Sequence, residues 1–326
     1  MEGVNGRDLA GEFYAREVRP LLGDVPHAAA LLGDGSEVLG FDDGVSPDHD
    51  FGPRVQVLVG SPGDADAARA ALGALPEAFE GFRVRFAGGD HAVEVATAPA
   101  FFTARLGVDP AAGMGLADWL LTPTQRLATM VEGPVFHDPA GELARRRAAL
   151  RWYPADVWRY VLAAAWLRVS QEEAFIGRAG SRGDELGSAV VAARVARDLV
   201  RLAFLVERRW APYGKWLGTA FARLPLAPRV GPHLDAALRA GAWREREAAV
   251  CRAASELAAA TNRLGLAEEL DPGPRRFHAR DIRVLAGERF TEALVARITD
   301  PGVGALVDRL GRRADGSVGR LPGAID

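Results

Sequence analysis

The stretch "GDGSEVLGFDDGVSPDHDFGPRVQVLV", Gly33 to Val59, concentrates glycines and carboxylates ahead of a β-rich segment. Asp48 and Asp50 flank His49. On an extended segment, residues two apart share a face, so the two carboxylates point the same way. Like charges held together repel unless protons or cations compensate them. Magnesium is the usual compensation where the substrate is a triphosphate, because it takes hard oxygen ligands and leaves positions for phosphate and water. A third acid on a neighbouring strand would complete a two-metal site. Glu94, between Val93 and Val95, is that candidate. The turn at Gly35 and Ser36 offers backbone N–H groups and a hydroxyl to a phosphate. A solvated surface loop would use the same residue types for solubility alone. Asp42 and Asp43, ahead of Gly44, read as a turn.

The rest of the chain must position these groups. Residues 7–30 are expected to form a first helix, with Leu9, Phe13, Val18 and Leu21 as apolar contacts. "RVQVLVG" (54–60) is a strand by alternation, "DADAARAALGALPEAF" a helix, and "FRVRFA" (82–87) and "HAVEVAT" (91–97) two strands about a Gly88-Gly89-Asp90 turn. From Leu106 the pattern becomes helical, with two long amphipathic helices joined through "GRAGSRG". The expected fold class is α+β: a small mixed sheet over residues 1–105, followed by an all-helical bundle over 106–326 that completes the cleft. The last residues, "RRADGSVGRLPGAID", read as a loose tail.

Composition bounds the partners. The 326 residues are 48% hydrophobic and 25% charged, as in ordinary globular proteins, and suit two domains. The net charge of -3 supplies no global field for nucleic acid or anionic lipid. Cys251 is the only cysteine, which excludes internal disulfides and cysteine-based zinc sites. No apolar run approaches the roughly 20 residues of a membrane span, so a cytoplasmic protein is expected. Apolar helix faces would permit a homodimer. His91, His137, His233 and His278 lack metal-ligand spacing.

In the helical half, "QEEAFIGRAGSRGDELGS" gathers Gln171, Glu172, Glu173, Arg178, Asp184, Glu185 and Ser188 around two helix ends. Asp184 suits a helix cap. Arg168 and Glu172 have the spacing of an i,i+4 pair. Glu172 or Glu173 could instead orient or deprotonate an acceptor hydroxyl. Arg194, Arg197 and Arg201 recur on one face, either solvated or turned to phosphates. Lys215, the only lysine, either packs its stem on Trp216 or Tyr213 or neutralises a phosphate, and Arg54 could do the latter too.

Gly35-Ser36, twelve residues to Asp48, the pair Asp48 and Asp50 entering a strand, and a later strand acid resemble the signature of the DNA polymerase β-like nucleotidyltransferase superfamily. A helical C-terminal half resembles the kanamycin-nucleotidyltransferase type. The stretches "GSEVLGFDDGVSPDHDFGPR", "VEVATAPAFF", "YPADVWRYVLAAAW", "QEEAFIGRAGSRGDELGS" and "YGKWLGTAF" resemble a bacterial branch of nucleotidyltransferase-like proteins. The resemblance implies a magnesium-dependent transfer of a nucleoside monophosphate, most simply AMP from ATP, to a hydroxyl of a small molecule or other acceptor. It implies two Mg2+ ions on Asp48, Asp50 and Glu94, and a nucleoside triphosphate donor contacted by Gly35 and Ser36. Arg54, Arg178 and Lys215 are the phosphate-binding candidates, and Glu172 and Glu173 the candidate bases. Glu94 departs from the aspartate common at its position. An acid or phosphate acceptor is a second enzymatic reading. A nucleotide-sensing or partner-binding protein without catalysis is a third, favoured if Glu94 points into an apolar core or is tied to an arginine.

Overall fold

The computed structural model describes residues 5–42, 52–84, 92–313 and 315–323. The chain is α+β and divides into two compact units, Met1–Arg151 and Trp152–Asp326.

The first unit opens with α1 (Gly6–Phe13), capped by the Asn5 side chain, which continues through a π-helical stretch (Tyr14–Val18) into α2 (Arg19–Leu22). The helix stops at Gly23, whose φ of 52° suits a residue without Cβ. Residues 27–30, expected to extend this helix, form strand β1 (His27–Ala30) instead. The alanines favour helix locally, but Gly23 and Pro26 break it and the strand is buried on every residue.

There follow α3 (Ser36–Leu39), β2 (Val55–Val59), α4 (Pro62–Leu72), the short strands β3 (Ala78–Phe79) and β4 (Phe82–Arg83), β5 (Val93–Thr97) and α5 (Ala98–Leu106). Then come α6 (Leu116–Leu121), α7 (Thr124–Val131), β6 (Val135–His137) and α8 (Glu142–Ala149). The main sheet has the order β5-β2-β1-β6. β1 is antiparallel to β2 and β6, and β2 is parallel to β5, so the sheet is mixed. The parallel pair requires a crossover, which α4 provides. Because β6 lies at 135–137, this unit runs on to Arg151 rather than ending near residue 105.

Register decides which side chains share a face. Ala29, Val55, Val57, Val59, Val93 and Val95 join one core with Phe13, Val18, Leu22, Ala68 and Leu72 of α1 to α4. Ala30, Gln56 and Glu94 lie in one row across the sheet, on the other face. The alternation of β2 and β5 thus sends valines into the helices and Gln56 and Glu94 to the opposite side.

The second unit consists mainly of helices: α9 (Ala155–Gly180), α10 (Glu185–Val206), α11 (Leu217–Phe221), α12 (Ala227–Arg239), α13 (Trp243–Arg263), α14 (Glu288–Val295) and α15 (Pro301–Leu306). A two-stranded ribbon, β7 (Arg275–Arg276) and β8 (Arg283–Val284), precedes α14. Trp166 is fully buried, stacks on Phe290 at 4.9 Å between centroids and donates to the Thr261 hydroxyl at 3.2 Å. Asp184 caps α10 as expected, accepting from the Gly187 N–H at 2.7 Å. The segment expected to be a loose tail is anchored: Tyr160 donates to the Pro322 carbonyl, Gln171 to the Gly319 carbonyl, and the Val318 N–H to Glu292. Among the described residues, no helix is long and apolar enough to cross a membrane.

Candidate functional site

The glycine turn at residues 33–36 leaves the end of β1 and starts α3. Gly33 and Gly35 have φ of 91° and 142°, conformations that side chains rarely adopt. The turn is tied down at its entry, where Leu32 donates its N–H to the buried Gln56 side chain at 2.6 Å. The Gly33 N–H donates to the Thr129 carbonyl of α7 at 3.2 Å. A Cβ on Gly35 would press the Glu37 carboxylate and the Arg54 guanidinium, both the free ends of flexible side chains, so it is the φ that calls for glycine here.

Four arginines, from three helices and the residue ahead of β2, meet residues 33–38. Arg54, just ahead of β2, donates from Nη2 to the Asp34 carbonyl and to the Glu37 carboxylate. Arg126 of α7 lies 3.7 Å from the Asp34 carboxylate. Arg7 of α1 donates to the Glu37 and Val38 carbonyls at 2.9 and 2.7 Å, and to the Glu132 carbonyl at 3.1 Å. Arg105 of α5 has its Nε 3.8 Å from where a Gly33 Cβ would sit. Against these four cations stand the carboxylates of Asp34, Glu37 and Glu94. Such a cluster of guanidinium groups beside a glycine turn can hold a polyphosphate by charge-assisted hydrogen bonds.

Glu94 lies on β5, beside Gln56 of β2. Its side chain is 41% exposed, so it points neither into an apolar core nor freely into water. Both its oxygens face one nitrogen, Nη2 of Arg105, at 2.8 and 2.7 Å. Asp48, His49 and Asp50 lie outside the described residues, as do Asp43 and His91. Among the described residues, no three His, Cys, Asp or Glu side chains are gathered as a metal site requires. With Glu94 engaged by Arg105, the described residues do not fit a metal ion at that strand.

Of the sequence candidates, the first unit brings Gly35, Ser36 and Arg54 together at one turn, with Glu94 beside Arg105. Arg7, Glu37, Arg105 and Arg126 were not anticipated. The signal for Arg105 was its place on the helix directly after the Glu94 strand, four residues beyond Phe101, over whose ring it stacks at 3.8 Å.

The second unit holds the others. Glu172 pairs with Arg194 at 3.3 Å, and Arg168 with Asp198 at 3.5 Å, so the expected Arg168–Glu172 pair gives way to ties between α9 and α10. Glu173 is 5% exposed. Its oxygens accept the Leu285 N–H at 2.6 Å and the Gly287 N–H at 3.1 Å. Burial pushes its carboxyl up to about 7, against the backbone N–H groups of Leu285, Ala286 and Gly287 that favour the charged form. A carboxylate so enclosed organises the 285–287 segment, and both its oxygens are taken, which fits a structural role better than that of a base. Arg178 stacks on Phe175, at 4.9 Å, and Lys215 on Trp216, at 5.0 Å.

A family described as a domain of unknown function (DUF4037) matches residues 119–217, under a third of the chain and beyond the glycine turn. No curated protein matches. Among solved structures, a nucleotidyltransferase-like protein from Exiguobacterium sibiricum 255-15 is similar at 14% identity and a TM-score of 0.36, over 94% of this chain and 89% of that one. A likeness at that level says nothing of activity, and none of these matches reaches the kanamycin type.

Proposed function

We propose that the first unit binds the triphosphate of a nucleotide at the Gly33–Ser36 turn and that the chain transfers a nucleoside monophosphate, most simply AMP from ATP, to a hydroxyl. The observation that carries this reading is the convergence of Arg7, Arg54, Arg105 and Arg126 on residues 33–38. The spacing from Ser36 to Asp48 and Asp50 supports it from the sequence side. Arg54 and Arg126 would release Glu37 and Asp34 in favour of phosphate oxygens. In the transfer, the acceptor oxygen forms a bond to the α-phosphorus, the bond to pyrophosphate breaks, and the acceptor proton passes to a base. Magnesium, held by Asp48 and Asp50, would neutralise charge on the phosphates.

The Arg105 pair on Glu94 favours a second reading: a nucleotide-binding protein without transfer, which senses nucleotide or presents it to a partner. Calorimetric titration of the four ribonucleoside triphosphates, with and without magnesium, tests the binding. One nucleotide bound by the wild type and lost in Asp48→Ala/Asp50→Ala supports the site. Binding of none of the four overturns it. Pyrophosphate release in an acceptor screen separates transfer from sensing.

A further inference from the structure

Arg105 holds Glu94, one of the acids on which the sequence resemblance places a metal ion. Nη2 lies astride the two oxygens of Glu94, at 2.8 and 2.7 Å, which is the direction from which a cation chelates a carboxylate. The guanidinium is held from other sides as well. Its central carbon lies 3.8 Å from the Phe101 ring centroid, and Nη1 donates to the Phe101 carbonyl at 3.4 Å. Nε lies 3.8 Å from where a Gly33 Cβ would sit.

The chain places this cation by local geometry. Helix α5 follows β5 without a gap, its first turn capped by the Thr97 hydroxyl. Arg105 then falls two turns into the helix, one turn after the ring that it covers. Its rotamer is already constrained by ring and carbonyl, so little freedom is lost in holding Glu94.

A guanidinium remains charged throughout the accessible pH range. A magnesium ion needs oxygen ligands at about 2.0–2.1 Å in near-octahedral array and gives up water reluctantly. To chelate Glu94 it must displace Arg105 and then sit beside the displaced charge.

We propose that Arg105 is the resident cation of Glu94, fills the position a second metal would take, and turns an arginine rather than that metal toward the bound phosphates. The proposal deepens the nucleotide reading and rests on it for the phosphate ligand, but not for the count of metal ions. It sets a specificity: the site takes a nucleotide without a metal ion at Glu94.

The test uses the full chain and Mn2+ alone, with bound ions counted by electron paramagnetic resonance. Wild type and Glu94→Gln are expected to bind the same number of ions. Arg105→Gln is expected to gain one, and Arg105→Gln/Glu94→Gln to lose it again. An ion lost in Glu94→Gln relative to wild type overturns the proposal, as does an Arg105→Gln protein that gains none. If Arg105→Gln does not fold, the comparison of wild type with Glu94→Gln still decides. Since no nucleotide is present, the result is independent of whether ATP binds.

Discussion

Arg54 reaches across the glycine turn to Glu37, and its Nη2 holds the Asp34 carbonyl as well. The turn is therefore closed by a side chain that comes from the far end of the segment carrying Asp48 and Asp50. Gly35 lies beneath this pair, at a φ of 142°. Gly35→Ala would strain the backbone by about 1–3 kcal/mol and push its Cβ into both charged groups. The expected outcome is a lower urea midpoint and, on the nucleotide reading, at least a tenfold loss of ATP affinity in calorimetry. A variant with unchanged affinity would mean that phosphate does not sit on this turn.

Gln56 is buried in the row between Ala30 and Glu94, and receives the Leu32 N–H at 2.6 Å. Gln56→Leu keeps the volume and removes the acceptor, leaving a buried N–H without its partner. The cost is about 1–3 kcal/mol, read as a drop in chemical-denaturation midpoint. The entry to the glycine turn would loosen, and amide hydrogen exchange at Leu32 and Gly33 should accelerate.

How much of this was legible beforehand differs from element to element. The strands around Val57 and Val95 were plain, because alternating valines announce a sheet buried on one face. The Asp184 cap was plain for a similarly local reason. His27–Ala30 reads as helix because alanine prefers helix; Gly23 and Pro26 mark where the helix ends, but the burial that makes a central strand comes from neighbours distant in sequence. β6, three residues long, carries no periodicity, so the extension of the first unit to Arg151 was invisible. The turn was legible as glycine and serine with Arg54 beyond them, but its other arginines were not. Arg7, Arg105 and Arg126 are spread over some 120 residues, and only the fold brings them to residues 33–38.

Glu173 sets a pH dependence in the second unit. Its carboxyl is pushed up to about 7 from an ordinary value of 4.5, mainly by burial. The folded state therefore holds a proton that the unfolded chain releases. The associated stability is fully present below about 4.5 and is lost as pH rises through about 7, on the order of 3 kcal/mol in all. Glu247 of α13, also raised by burial, acts in the same direction. In calorimetric melts, the difference in stability between wild type and Glu173→Gln should change across this window. A pH-independent difference would show that Glu173 titrates normally.

His27 sets the opposite dependence in the first unit. The Val25 carbonyl lies 2.8 Å from its Nδ1, which must be the donor, so Nε2 accepts from the Tyr14 hydroxyl at 3.0 Å. Burial lowers its pKa, with the His137 ring, 4.9 Å away, and Arg19 adding to the shift. The folded state thus favours the neutral ring. Its contribution is present above the ordinary value of 6.5 and is lost as pH falls through 6.5 toward the lowered folded value. Protonation would make Nε2 a donor and turn the Tyr14 bond around. His27→Gln should flatten the acid side of the first unit's stability profile and leave the Glu173 dependence in place. Nuclear magnetic resonance titration of the His27 ring gives the direct measure: a ring that titrates above 6.5 would contradict the assignment.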